Sequence, residues 1–185
     1  MEYSVIMSGF GGQGVLMMGE FLAHCGMKTG LNVTWMPSYG VEMRGGTANC
    51  TVILSEDSIG APITGSPKAV IAMSEPALNK FGPKLQQDGL LLVNSSLISC
   101  ELPDSGNGLS RINVPTVDLA RASGDEKMAN IVMLGAFIAS SKLFDPAVAA
   151  EEIESFLPPH KSGLALGINK ALLKGQDYIN NGSCA

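Results

Sequence analysis

Charge is scarce in this chain. Asp, Glu, Lys and Arg make up 16% of its 185 residues, against ~25% in an ordinary soluble domain. The net charge is −5, and the few cations form no cluster and no alternation with aromatics, which excludes a nucleic-acid partner. No window reaches ~18 uninterrupted apolar residues, which excludes a membrane-spanning helix. Only two histidines occur. His24 falls within a helical pattern and His160 follows Pro158-Pro159 in a loop; neither has an evident acid or nucleophile as partner, so no catalytic role is expected for either. The four cysteines, Cys25, Cys50, Cys100 and Cys184, include no C-x-x-C pair. That spacing does not support an iron–sulfur cluster or a zinc site within the chain. Cys25 and Cys50, in a helix pattern and a strand pattern, read as reduced core residues. The start, Met1-Glu2-Tyr3-Ser4, lacks the basic region of a signal peptide, and a cytoplasmic location is expected.

Small and apolar residues stand in place of the missing charge. Glycine occurs 22 times and methionine 10 times, and the mean hydropathy is +0.22. This composition suits close packing, with some apolar surface covered by partner chains. The length fits one domain spanning 1–185.

The sharpest local signal is Ser8-Gly9-Phe10-Gly11-Gly12-Gln13-Gly14-Val15. It follows an apolar run, Tyr3 to Met7, and opens a helical pattern from Val15 to Lys28. A strand turning through glycines into a helix leaves the first helical amides unpaired, at the positive end of the helix dipole. Such a turn accepts a phosphate or another anion, because no Cβ holds the ligand off the backbone. Gly9, Gly11 and Gly14 have dinucleotide-binding spacing. The acid that normally binds the ribose, about 20 residues on, is missing: the second apolar run, Leu31 to Met36, ends in Met36-Pro37-Ser38. A P-loop also fails, since Val15-Leu16 stand where Lys and Ser/Thr belong. The readings left open are an anion-binding turn and a tight turn with no ligand.

Periodicity places the remaining elements. Strands are expected over 31–36, 47–54, 69–73, 89–93 and 111–114. Helices are expected from Ser74-Glu75-Pro76, over 118–122, from 128 to 139, over 146–156 and over 164–179, with Gly30 stopping the first helix. Strands alternating with helices and then a helical tail predict an α/β fold: a three-layer Rossmann-like domain with a mostly parallel sheet and a helical C-terminal part.

A second unusual stretch, Pro37-Ser38-Tyr39-Gly40-Val41-Glu42-Met43-Arg44-Gly45-Gly46, reads as a loop after the second strand. In an open α/β sheet it would share the carboxyl edge with the glycine turn. Arg44 is a fork-shaped donor suited to phosphate or carboxylate, and Gly45-Gly46 admits a close approach. Equally, Arg44 and Glu42 could pair across a turn, and Tyr39 could be a core residue.

Together these two motifs resemble the gamma subunit of 2-oxoacid:ferredoxin oxidoreductases, in the 2-oxoglutarate or pyruvate/ketoisovalerate branch. Met128-Ala129-Asn130-Ile131-Val132-Met133-Leu134-Gly135-Ala136 is similar to the family's Asn-containing third block, and the likeness continues into the final helix. Many relatives have Pro in place of Val41. The resemblance implies a complex that oxidatively decarboxylates a 2-oxoacid with coenzyme A, giving acyl-CoA, CO2 and reduced ferredoxin. It implies thiamine diphosphate, magnesium and iron–sulfur clusters in alpha, beta and delta partner subunits, and none bound by this chain. It further implies that Gly9, Gly11, Gly12, Gln13 and Gly14 contact the coenzyme's phosphates or a partner subunit, with Tyr39, Glu42, Arg44, Gly45, Gly46 and Asn130 at the same edge and no catalytic residue among them. The isolated chain would be inactive, and homodimerisation is one outcome for it. A stand-alone nucleotide- or dinucleotide-binding Rossmann-like enzyme is the alternative.

Overall fold

A computed structural model describes residues 1–40, 46–100 and 108–182, Tyr39 by its backbone alone. Six strands form one sheet in the order β2-β3-β1-β4-β5-β6. β1 (Glu2–Phe10) is central. It pairs in parallel with β4 (Ala69–Ala72), which continues to β5 (Leu90–Asn94) and β6 (Ser110–Val114), both parallel. On its other side β1 pairs antiparallel with β3 (Thr47–Ser55), and β3 pairs antiparallel with the edge strand β2 (Asn32–Tyr39). β2 therefore runs in the direction of β1. Only β3 is reversed, so the expected mostly parallel sheet holds, in mixed form.

β1 is buried on both faces, as a strand covered by helices on either side must be. Val5 and Met7 join one core. Ile6 joins the other, with Val70, Ala72, Leu91 and Val93 under α2 (Glu75–Phe81). The first core is covered by α1 (Val15–Lys28) and α4 (Ala129–Ser141), with α3 (Thr116–Ala122), α5 (Pro146–Phe156) and α6 (Ala165–Asn180) packed around them. α1 lies close on the β2–β3 pair because its inner face is glycine: a Cβ on Gly19 would run into Cys50 Sγ, and one on Gly26 into a Leu54 methyl. Gly30, at φ 84°, follows the helix end where the stop was expected.

The expected loop over 37–46 begins later than its composition suggests. Pro37, Ser38 and Tyr39 belong to β2, opposite Cys50, Asn49 and Ala48. Proline is tolerated there because β2 is an edge strand, with one side unpaired. The pairs Tyr39↔Ala48 and Phe10↔Thr47 bring the β2–β3 connection to the carboxyl end of β1.

Candidate functional site

The glycine turn sits at the carboxyl edge of the sheet. Gly9 and Phe10 still belong to β1, and Gly14 caps α1 in a left-handed conformation, φ 71°. Among the described residues no side chain caps the helix, and its first turn carries no acid. Its leading amides are therefore offered outward, with no carboxylate of that turn to repel an anion. Gly12 is exposed at φ 99°, with open space where a Cβ would stand. Gly11 N–H donates to the Gly46 carbonyl at 2.8 Å, tying the turn to the β2–β3 connection.

A groove of about 530 Å³ opens beside this turn. Its floor and walls include Gly11, Gly12, Gly14, Leu16, Trp35 and Pro37, with Phe10, Met17, Gly46 and Thr47 around them. Among the described residues the lining is apolar apart from backbone groups and the Thr47 hydroxyl. The site thus offers main-chain donors beside a greasy wall, a combination suited to an anion carried on a long, largely neutral body. Trp35 is the chain's single tryptophan.

Gln13 has a different role from its neighbours. Its Oε1 accepts from Phe10 N–H at 2.7 Å, and its Nε2 donates to the Met73 carbonyl at 3.0 Å. α1 packs on one face of the sheet and α2 on the other, so β1 and β4 flank the point where the chain changes face. There an open α/β sheet normally receives a ligand. Gln13 bridges that crevice, and Gly9 has no Cβ because one would collide with Gln13 Oε1 and Met73 Cβ.

Asn130, 6% exposed at the start of α4, holds the turn from the opposite side. Its Nδ2 donates to the Gly14 carbonyl at 3.4 Å, and a Cβ on Gly14 would strike that amide. The structure thus brings Gly9, Gly11, Gly12, Gln13, Gly14, Gly46 and Asn130 into one neighbourhood. Glu42, Arg44 and Gly45 lie outside the described residues, as does the Tyr39 side chain.

One expectation is overturned. His24 is not isolated: its Nε2 lies 2.9 Å from Glu152 Oε2 and 3.1 Å from Ser155 Oγ. Lys28 Nζ is 3.2 Å from the same carboxylate oxygen. The partner sits 128 residues away on α5, beyond the reach of any spacing rule. The Ser155 hydroxyl, then His24 and Lys28, hold the Glu152 carboxyl down at about 2. Both contacts of His24 fall on one ring nitrogen, and among the described residues no acid orients the ring from its other side as in a catalytic relay. The cluster fastens α5 to α1.

Cys25 and Cys50 are fully buried, and burial pushes each thiol up to about 12. Among the described residues no group of three His, Cys, Asp or Glu side chains is placed to hold a metal ion, and no helix is long and apolar enough to cross a membrane.

Fold and site define a Rossmann-like α/β chain that offers an uncapped glycine turn at its carboxyl edge. The chain belongs to the pyruvate ferredoxin/flavodoxin oxidoreductase family, whose pattern matches residues 4–176. It is 38% identical over 138 residues to the ketoisovalerate oxidoreductase subunit VorA of Methanothermobacter thermautotrophicus, covering 75% of this chain but only 28% of that protein. It is 32% identical over 164 residues to the 2-oxoglutarate synthase subunit KorC of Methanothermobacter marburgensis, covering 86% and 88% of the two chains. Among solved structures it is similar to the keto/oxoacid ferredoxin oxidoreductase gamma subunit of Geobacter sulfurreducens (TM-score 0.80, 28% identity, 97% of this chain and 99% of that one). It also shares the fold of part of the 2-oxoglutarate:ferredoxin oxidoreductase of Magnetococcus marinus, solved with 2-oxoglutarate, coenzyme A and succinyl-CoA bound (TM-score 0.84, 19% identity, all of this chain and 32% of that one). The resemblance to gamma subunits is borne out.

Proposed function

We propose that this chain is the coenzyme-A-handling subunit of a complex that oxidatively decarboxylates a 2-oxoacid to an acyl-CoA and passes the electrons to ferredoxin. One observation carries the reading: the uncapped α1 amides and Gly12 face a groove whose wall is Leu16, Trp35 and Pro37. Coenzyme A fits that chemistry, with a pyrophosphate for the amides and a long pantetheine arm for the apolar wall. In this reading Gly9 and Gln13 shape the turn, and Gly11, Gly12 and Gly14 hold the phosphates. Asn130 braces Gly14, and Tyr39, Glu42, Arg44, Gly45 and Gly46 complete the proposed contact set. Alpha, beta and delta subunits supply thiamine diphosphate, magnesium and the iron–sulfur clusters, and the bond-making steps are theirs. A relative of the same fold was solved with coenzyme A bound, which supports the assignment. Gln13 across the β1–β4 crevice stands against a stand-alone dinucleotide enzyme, whose cofactor would cross there.

Reconstitution tests this reading. The purified chain alone should not reduce a viologen dye with 2-oxoacid and coenzyme A, whereas the complex should, and only with this subunit present. In the complex Arg44→Ala should raise the coenzyme A requirement about tenfold or more, the scale of one lost charge-assisted contact. Turnover by the isolated chain would overturn the proposal.

A further inference from the structure

The outer side of α6 carries apolar residues that the fold leaves uncovered. Leu166 and Leu173 stand seven positions apart, on one stripe of the helix, and are 70% and 45% exposed. Leu164, just before the helix, is 47% exposed. Leu166 forms a ridge, because it lines a hollow on each flank of α6. The hollow of about 350 Å³ on the α5 flank is bordered by Glu151 and Glu154. The one of about 310 Å³ on the other flank is bordered by Lys170, with Met128 and Leu164 beside it.

The two flanks therefore differ in sign. Glu151, Glu154, Lys170 and Lys174 are all exposed, and none enters an ion pair among the described residues. One acid, Asp125, lines the lysine flank, where its carboxylate accepts from Lys127 N–H at 2.9 Å. Helix α5 runs antiparallel to α6. Gln176 Nε2 donates to the Pro146 carbonyl at 3.3 Å, while Glu151 and Glu154 share their hollow with Leu166 and Asn169. The two acids thus stand level with Lys170, across the leucine ridge from it.

A two-fold interface must be complementary to itself. An axis parallel to α6 keeps each residue's height and exchanges the flanks. Leu166 and Leu173 then meet their own copies, and Lys170 of each chain meets Glu151 and Glu154 of the other. An axis across α6 would instead keep the flanks and set lysine against lysine. We propose that this face joins two copies of the chain into a homodimer, related by a two-fold axis parallel to α6. None of these residues lines the groove at the glycine turn, so the dimer is independent of the reading of that groove.

Sedimentation velocity of the full chain over a concentration series tests the proposal. The parent should pass from monomer to dimer as concentration rises, and less readily in high salt. Leu166→Ser combined with Leu173→Ser should stay monomeric wherever the parent is dimeric. Lys170→Glu and Glu151→Lys should each weaken the dimer about tenfold, since both symmetry-related pairs become like-charged. An equal mixture of those two variants should regain the parent's affinity, because each altered residue then meets the opposite charge. All the substituted side chains are exposed, so thermal unfolding of the variants should match the parent. A parent that is monomeric throughout overturns the proposal. So does a dimer that survives the paired leucine change, since it forms through another face. A mixture no tighter than its components overturns the axis and the charge pairing together.

Discussion

Gln13 spans from the glycine turn to the carboxyl end of β4, its Nε2 3.0 Å from the Met73 carbonyl and its Oε1 2.7 Å from Phe10 N–H. Both ends of one amide are thus consumed in closing the crevice between β1 and β4, the place where an open α/β sheet normally receives a ligand. Gln13→Ala should leave a carbonyl and an amide without their partner and cost about 1–3 kcal/mol. Gln13→Glu should recover only the bond from Phe10, since a carboxylate facing the Met73 carbonyl repels it. Urea unfolding of the two variants checks this; an unchanged midpoint in Gln13→Ala would remove the bridge from the account.

Helices α4 and α6 cross at backbone contact through Gly135 and Gly175. A Cβ on Gly135 would strike the Leu172 carbonyl, and one on Gly175 the Val132 carbonyl and Ala136 nitrogen. Main chain cannot rotate aside as a side chain can. Gly175→Ala should therefore destabilise by about 1–3 kcal/mol or more, although alanine favours helix in isolation. Gly167→Ala on the same α6, where nothing stands within 4 Å, should be neutral or stabilising. Equal melting temperatures for the two variants would contradict the close crossing.

The α1–α5 clamp has an acid limit. Glu152 is held at about 2 in the fold, from an ordinary value of 4.5, by Ser155 first and then His24 and Lys28. A depressed carboxyl contributes its stability in full above the unfolded value and loses it as pH falls through the folded one. The clamp should therefore weaken between about pH 4.5 and pH 2. Glu152→Gln should flatten that part of the stability–pH curve, measured by urea midpoints. A parallel curve for the variant would show that the cluster contributes nothing.

Burial, with the Glu152 charge in second place for Cys25, raises Cys25 and Cys50 to about 12. Neither supplies thiolate at pH 8, so native labelling with an alkylating reagent should spare both. Cys100, half-buried, should react sooner. Peptide mapping by mass spectrometry decides the order, and early modification of Cys50 would place that thiol outside the core.

Much of this fold was legible because its signals are local. The strand–glycine–helix turn, the Gly30 stop and the proline-opened helix over 146–156 each rest on neighbours a few residues apart. The insertion of β3 between β1 and β2 did not, because alternation and apolar runs do not encode the direction of pairing. Nor did the composition of Pro37 to Tyr39 disclose strand, since an edge position removes the usual cost of proline. At the site, the strand–glycine–helix turn was readable, but the closure of the crevice by Gln13 depends on Met73, 60 residues on. His24 and Glu152 meet only because α5 folds back over α1. The close crossing at Gly135 and Gly175 likewise depends on two helices that only the fold brings together.

The central claim is that the uncapped start of α1 holds an anion against the Trp35 wall. Leu16, in the first helical turn, lines that groove and is half-buried. Leu16→Glu and Leu16→Gln share one shape and differ by a charge. The acid favours the helix start by about 0.3–1 kcal/mol yet opposes an incoming phosphate. Coenzyme A titration followed by Trp35 fluorescence should give a saturable change in the parent and in Leu16→Gln. Leu16→Glu should bind about tenfold more weakly or worse, with a melting temperature no lower than that of its glutamine counterpart. Identical affinities for the two variants, or no Trp35 response in the parent, would contradict the assignment.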